Sequence, residues 1–508
     1  MADNSLSNNT RIAKNTILLY VRMIVLMVVS LYTSRVILNS LGVEDFGIYN
    51  VVTGFVIAFG FLNSAMTASV QRFLTVEFKK DNSGKMNQVF NMSLVIHFFL
   101  ALIMVGVAEP FGLYFVRNKL VIPPERLEAA IWIFHFSVVS LFFSIMNVPY
   151  KSLIVTHEDM GAFAVISLFE AFAKLAAAFL IGVVLFDKLV FYGLLLAGVA
   201  VLVQVFYMLF CIHKYKKEVV FKLMWDGLLF KDMCSFAGWN LIGVFAGIAH
   251  NQGINIVLNL FGGPVVNAAR AIAYQVSGAA NQLVTNFQMA VNPPIMKSYV
   301  ANDGRVERLV LSSSKISCIL LLCIAIPAII ETPYILKLWL KTVPEHAIGF
   351  TRLALIDAVV CSMAGPFHTL FQATGRIKLY QTLISGILLV NLPMSYLLLY
   401  MGLPFDITFV VSIALSLLAL ITRLILARKY SSITMGYFIV RVLLPVTLAV
   451  VLTALVPFVL LNVVQEGFIR LVMVVVLSIV ILGVSSWFLV FDSNEKNLVV
   501  NFVRRIVH

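Results

Sequence analysis

NTILLYVRMIVLMVVSLYTSRVIL, residues 15–38, decides the class of fold. A run of about 20 mostly apolar residues, helical, crosses the roughly 30 Å hydrocarbon core of a bilayer. This one follows Arg11 and Lys14, is too long for the apolar part of a signal peptide, and holds no small-residue cleavage site. It therefore reads as a true first span. Comparable runs recur to the far end of the chain. The 508 residues are 61% hydrophobic and 12% charged, whereas a soluble chain carries roughly 45–50% apolar and 25% charged residues. The composition excludes a soluble protein, and the net charge of +13 reads as a topology signal, with no nucleic-acid partner.

Fourteen spans are predicted, at about 15–40, 46–76, 87–115, 128–150, 160–186, 189–212, 233–259, 265–293, 307–331, 347–371, 377–401, 406–428, 437–462 and 468–491. Several are long enough to require tilt or a kink, and Pro149, Pro327, Pro366 and Pro393 are the expected breakers. The loops between spans alternate in charge. Of the 37 Lys and Arg residues, 21 lie in loops on the side of the N-terminus, 7 on the opposite side and 9 within spans. That bias puts both termini in the cytoplasm and requires an even number of spans.

A weak internal repeat is visible. Ile37-Leu38-Asn39 and Gly42 match Val257-Leu258-Asn259 and Gly262, and Pro149 to Leu153 matches Pro366 to Leu370, at nearly the same offset. The expected fold is thus an all-α membrane protein of about 14 transmembrane helices, with two six-helix halves of the same orientation and two further C-terminal helices. The expected division is 1–212 for the first half, 213–231 for a basic cytoplasmic linker, 232–430 for the second half, and 431–508 for the extra helices and a cytoplasmic tail.

Polar stripes separate helices that meet protein or water from those that meet lipid. Span 8 carries Arg270, Tyr274, Ser277, Asn281, Thr285, Gln288 and Asn292 at steps of three and four. Span 7 carries Gly247, Asn251, Asn255 and Asn259, each four apart, and span 2 carries Asn50, Thr53, Gly60, Ser64, Thr67 and Gln71. Such amides either glue helix to helix or line a wet cavity. Stripes running the length of spans 2, 7 and 8 favour the cavity, and spans 1, 2, 7 and 8 are equivalent pairs under the repeat, where a site at a repeat interface would form.

A charge at mid-bilayer costs roughly 2.5–3.5 kcal/mol on insertion scales. Arg22 and Arg270 share faces with polar residues and are assigned to the cavity; Arg35 and Arg72, nearer the ends of their spans, could instead snorkel to the interface. Glu170 and Lys174 lie four apart in span 5 and read as an intrahelical ion pair, and Asp357, with Arg352 nearby, reads similarly. Either acid could bind a coupling proton or sodium ion. Cys211, Cys234, Cys318, Cys323 and Cys361 form no CxxC pair and read as small apolar fillers. No metal spacing, nucleophile motif or phosphate loop occurs, so neither a metal site nor an enzyme is expected.

The run Ser34 to Tyr49, with its Leu41-Gly42 pair, the acids Glu44 and Asp45, and Phe46-Gly47-Ile48-Tyr49, resembles the first-loop pattern of oligosaccharide flippases. These form the polysaccharide-transport branch of the multidrug/oligosaccharidyl-lipid/polysaccharide exporter superfamily. Pro366 through Gly375-Arg376, followed by Tyr380, resembles the motif leaving helix 10 of that family. The resemblance covers the whole plan of the chain. It implies a transporter of a bacterial inner membrane that moves an undecaprenyl pyrophosphate-linked oligosaccharide, an O-antigen or other polysaccharide unit, from the cytoplasmic to the periplasmic leaflet. It also implies alternating access through a central cationic cavity, and work alongside a polysaccharide polymerase of the same pathway. Arg22, Arg35, Arg72 and Arg270 match its cavity cations by helix and stripe. A peptidoglycan-precursor flippase or a multidrug exporter of the same superfamily are the rival readings. A membrane-embedded transferase would need catalytic residues in sizeable exterior loops, which this chain lacks.

Overall fold

The computed structural model describes residues 2–79, 83–157, 159–222, 225–301, 304–374, 377–429, 431–493 and 495–496. Among them the chain is helices joined by short turns, without a strand. Hydrocarbon offers no partner to a backbone amide, so an apolar chain satisfies its N–H and C=O groups within each helix. Twelve stretches among the described residues are long and apolar enough to cross a membrane.

The chain runs α1 (Ala2–Leu41), α2 (Val43–Phe59), α3 (Phe61–Lys79), α4 (Ser83–Asn118), α5 (Leu127–Met146), α6 (Val148–Thr156), α7 (Met160–Leu180), α8 (Lys188–Lys214) and α9 (Gly227–Ala301). It continues through α10 (Val306–Ile330), α11 (Thr332–Trp339), α12 (Ala347–Ser362), α13 (Gly365–Ala373), α14 (Ile377–Leu389) and α15 (Asn391–Tyr400). The last elements are α16 (Ile407–Ala427), α17 (Met435–Phe438), α18 (Leu444–Val463) and α19 (Phe468–Ser485).

Two departures from the expected spans account for the count of twelve. The segment expected to be a single span at 46–76 is two helices, α2 and α3, of 17 and 19 residues, parted at Gly60. The spans expected at 233–259 and 265–293 lie in one helical stretch, α9, of 75 residues. A straight helix of that length would run for about 110 Å. It is interrupted at Gly263, whose φ of 66° and ψ of −166° are not helical, a conformation that costs a glycine little.

Three of the four expected prolines sit at joints. Pro149 opens α6 and Pro366 opens α13, and each of these helices has nine residues and follows a short break after a longer helix. The segments matched by the repeat thus share a local geometry. Pro393 lies in the first turn of α15. Pro327 is instead accommodated within the last turn of α10.

The described contacts divide the chain into two compact units, 1–268 and 269–508. The first half of α9 therefore packs in the first unit. In that unit α5 packs on α4 and α8, α1 lies along α7, and α3 meets α4 and α6. Its core has two parts, one around Val51, Phe55, Ile133 and Phe134 and one around Leu74, Phe90, Leu153 and Tyr207. In the second unit α12 packs on α10 and α16, while α18 and α19 pack on each other and on α10. Phe367, Phe371, Leu420, Phe438, Val442 and Leu482 share its principal core, so the two last long helices are built into that unit.

Candidate functional site

The first unit holds a cluster of charge within its spans. Arg22 projects from α1 toward α7, where its Nε donates to Ser167 Oγ at 2.5 Å. Its guanidinium lies 4.4 Å from the centroid of the Phe163 ring, and Lys151 Nζ lies 5.3 Å from the same centroid. Phe163 is thus shared by two cations, and the negative face of an aromatic ring offsets part of the cost of removing them from water. Ser167, Glu170 and Lys174 follow at steps of three and four along α7. The expected Glu170–Lys174 pair forms, with Nζ donating to Oε1 at 2.6 Å.

Glu170 lines two cavities. One, of about 510 Å³, is bordered by Asn63, Thr67, Asn147, Lys151 and Tyr207. The other, of about 370 Å³, is bordered by Thr33, Tyr49, Thr53, Ser137, Ser140, Lys174 and Tyr192. Ser144 and Ala200 border both. Lys151 and Lys174 border these spaces with Glu170, and Arg22 lies beside Phe163 without lining either; among the described residues these three cations and one acid make the cluster net cationic. Guanidinium and ammonium groups set among hydroxyls and amides can exchange water for the oxygens of an anion. Lys151 was expected in a cytoplasmic loop; its neighbourhood with Phe163 and its place in the lining beside Glu170 bring it here.

The remaining predicted residues fall elsewhere. Arg35 on α1 and Arg72 on α3 belong to the first unit and, like Arg22, line neither cavity. Asn251 is exposed, with its amide donating to the Gly247 carbonyl at 3.2 Å. Asn255, expected to face water, is engaged in packing. Its amide donates to the Asn50 carbonyl at 3.3 Å, and its own carbonyl and side-chain oxygens accept from Asn267 Nδ2 at 2.7 and 2.8 Å. Asn267 Oδ1 accepts from Asn259 at 3.0 Å, and Asn259 Oδ1 accepts from the Val121 N–H at 2.8 Å. This amide chain fixes the corner at Gly263, so in this part of the stripe the amides serve as glue.

In the second unit the buried Arg270 stacks on Tyr274, 4.2 Å from the ring centroid, and Tyr274 in turn meets Phe409. Asn281 is half-buried, its main-chain carbonyl accepting from Thr285 Oγ1 at 3.0 Å. Gln288 donates to Ser317 Oγ at 3.2 Å and to the Ser362 carbonyl at 3.0 Å, and it fills the space beside Gly365. It is therefore a packing residue of α9 against α12 and α13. Asp357 does not pair with Arg352. Five residues apart on a helix, they point about 140° from each other; Arg352 Nε donates to the Ile329 carbonyl at 3.0 Å, and Asp357 faces Ser416.

Sequence reasoning missed the clamps at the helix ends. Arg126 donates to both oxygens of Asp45 at 2.7 and 2.6 Å and to both oxygens of Asp187 at 3.2 and 2.5 Å. Burial alone would push the Asp187 carboxyl up, but the hydrogen bonds from Arg126 and from the Val190 and Leu189 N–H groups outweigh it and hold the carboxyl below its ordinary value. The acid of the first-loop pattern is thus the anchor for an arginine 81 residues away. In the second unit Glu331, fully buried, takes Arg470 in a two-pronged pair at 2.8 and 2.9 Å.

Solved membrane transporters share this fold. An inward-facing multidrug resistance transporter of the MATE family superposes with a TM-score of 0.70 at 14% identity, over 80% of this chain and 95% of its own. The lipid II flippase MurJ, in an inward closed conformation, gives 0.69 at 10% identity over 93% and 98%. A MOP superfamily transporter from Pyrococcus furiosus, described by the reverse polarity of its binding pocket, gives 0.61 at 15% identity over 82% and 95%. No protein-family model and no curated protein matches the sequence.

Proposed function

We propose that this protein is a flippase that carries an undecaprenyl pyrophosphate-linked oligosaccharide across a bacterial inner membrane, from the cytoplasmic to the periplasmic leaflet, by alternating access. The observation that carries this reading is the intramembrane cluster of Arg22, Lys151 and Lys174 around a single acid, Glu170, beside cavities lined with hydroxyls and amides. A pyrophosphate cannot enter hydrocarbon unaided, and cations held among polar side chains can replace its water while the lipid tail stays in the bilayer. A MOP-superfamily fold shared with a lipid II flippase is in keeping with such cargo. The reading includes fourteen crossings, counting α2–α3 as one and the two arms of α9 as two, with both termini cytoplasmic and two six-helix halves preceding the last two crossings. Arg270 would add to the cationic path, Glu170 or Asp357 would take a coupling proton or sodium ion, and a polysaccharide polymerase would receive the product.

A multidrug exporter is the second reading, since the MATE fold matches equally well. Cationic drugs need acidic pockets, and the charge around Phe163 has the opposite sign. The deciding experiment reconstitutes the protein in vesicles with a fluorescent undecaprenyl pyrophosphate oligosaccharide and compares Arg22→Ala and Lys151→Ala with the parent. Flipping should fall at least tenfold in both variants at equal protein content. Parental rates in both variants, or export of cationic dyes by the parent, would overturn the reading.

A further inference from the structure

The second unit holds a polar cavity of about 690 Å³ that the transport reading does not use. It opens where α10 begins, beside α17 and the turn after α19, and its lining carries three bases, Arg308, Lys315 and Arg441, and three acids, Glu307, Asp492 and Glu495. Their pairings are unequal. Lys315, 2% exposed, donates to Glu495 at 3.3 and 3.4 Å and to Asp492 at 3.3 Å, and Glu495 is itself 5% exposed. Glu307 accepts from the N–H and the hydroxyl of Ser432 at 3.0 and 2.7 Å. Arg441 touches Asp492 through one nitrogen only, at 3.4 Å. Arg308 is exposed and has no carboxylate within ion-pair reach among the described residues. Two guanidinium groups therefore keep free donors toward the cavity, with one half-exposed carboxylate, Asp492, beside them.

Tyr437 borders the cavity, and it, Val440 and Leu444, all close to Arg441 in sequence, are large, exposed side chains. A polar pocket with free cationic forks and a carboxylate, next to an apolar face on a membrane helix, has the form of a lipid headgroup and its acyl chains.

We infer that this cavity binds a membrane phospholipid of the ethanolamine type, its phosphodiester held by Arg308 and Arg441 and its ammonium by Asp492. The balance of charge in the lining selects a zwitterion over a purely anionic headgroup. A choline headgroup has no N–H to donate, so the carboxylate selects ethanolamine over choline. The site is independent of the flippase's cargo.

The test is lipid retention by the full-length protein in native mass spectrometry, after exchange into mixed micelles of dioleoyl phosphatidylethanolamine, phosphatidylcholine and phosphatidylglycerol, and with inorganic phosphate as a competitor. Phosphatidylethanolamine should be retained on the order of tenfold over phosphatidylcholine, the scale of a hydrogen bond to a charged group. Arg308→Gln with Arg441→Gln should remove that retention at an unchanged unfolding temperature. Should that pair unfold the protein, Arg308→Gln alone, at an exposed position, must still weaken it. Equal retention of the two zwitterions, unchanged retention in the variants, or displacement by millimolar inorganic phosphate would each overturn the assignment, the last by showing a simple anion site.

Discussion

The carbonyl oxygen of Pro264 occupies the place where a side chain at Gly47 would begin: a Cβ built on Gly47 falls 1.9 Å from it. The three nearest atoms are all backbone of Pro264, so the clash cannot be relieved by turning a side chain; α2 or the corner after Gly263 would have to move. Gly47→Ala should cost about 1–3 kcal/mol, as overpacking does, and lower the unfolding temperature of the purified protein. Gly161→Ala, at a glycine with nothing within 4 Å of its Cβ position, should leave that temperature unchanged or raise it.

The pair of Glu331 and Arg470 should dominate the ion pairs at its end of the second unit. Glu331→Gln leaves a largely buried guanidinium without its carboxylate, which costs about 3–5 kcal/mol. Lys337 and Glu466, nearby in sequence, are 3.7 Å apart with side chains 76% and 43% exposed, and Lys337→Ala should cost about 0–1 kcal/mol. Denaturant titrations of the two variants should separate by that margin. Glu331→Leu combined with Arg470→Leu should recover most of the loss.

Asp159, in the turn between α6 and α7, predicts a pH dependence. Burial would push its carboxyl up, but hydrogen bonds from Lys214 and Tyr215 outweigh burial and hold it below its ordinary value. An acid whose folded pKa is depressed contributes stability above its unfolded pKa, and that contribution is lost as pH falls through the folded one. The unfolding temperature of the parent should therefore exceed that of Asp159→Asn at pH 6, and the difference should shrink below about pH 4. A difference constant down to pH 3 would mean that the carboxylate charge contributes nothing.

On the flippase reading, the membrane potential assists the outward movement of a pyrophosphate by about 2.3 kcal/mol per charge per 100 mV. Flipping in vesicles should accelerate when a potassium gradient sets the cytoplasmic side negative. If Glu170 carries the coupling ion, Glu170→Gln should flip at a rate indifferent to imposed proton or sodium gradients, and Lys174→Met should keep that dependence.

The spans were legible because an apolar run of sufficient length has one stable place, and the Glu170–Lys174 pair was legible because a helix brings residues four apart together. Gly60 was not read as a break, since an isolated glycine in a helical pattern is usually only tolerated. The stripe through Asn251, Asn255 and Asn259 marked a polar face but not what lay opposite: periodicity cannot tell a face that meets water from one that meets another amide. Arg126 and Lys151 escaped for a different reason. Their partners lie on other helices or their ends, and a count of loop charges records the side of the membrane and nothing about what a side chain touches.

The joint at Gly60 has one more property. Its N–H bonds to the Ile57 carbonyl at 2.8 Å, and the Asn63 N–H bonds to the Gly60 carbonyl at 3.0 Å, both one residue shorter than the α-helical reach. The ladder is shortened there. Elsewhere in α2 and α3 a bend would have to break α-helical hydrogen bonds with no water at hand to replace them, whereas at Gly60 the rungs already take the shorter reach of a tighter turn. The two segments can therefore act as separate levers on one pivot, and the first unit can change shape through a single residue while its helices stay rigid.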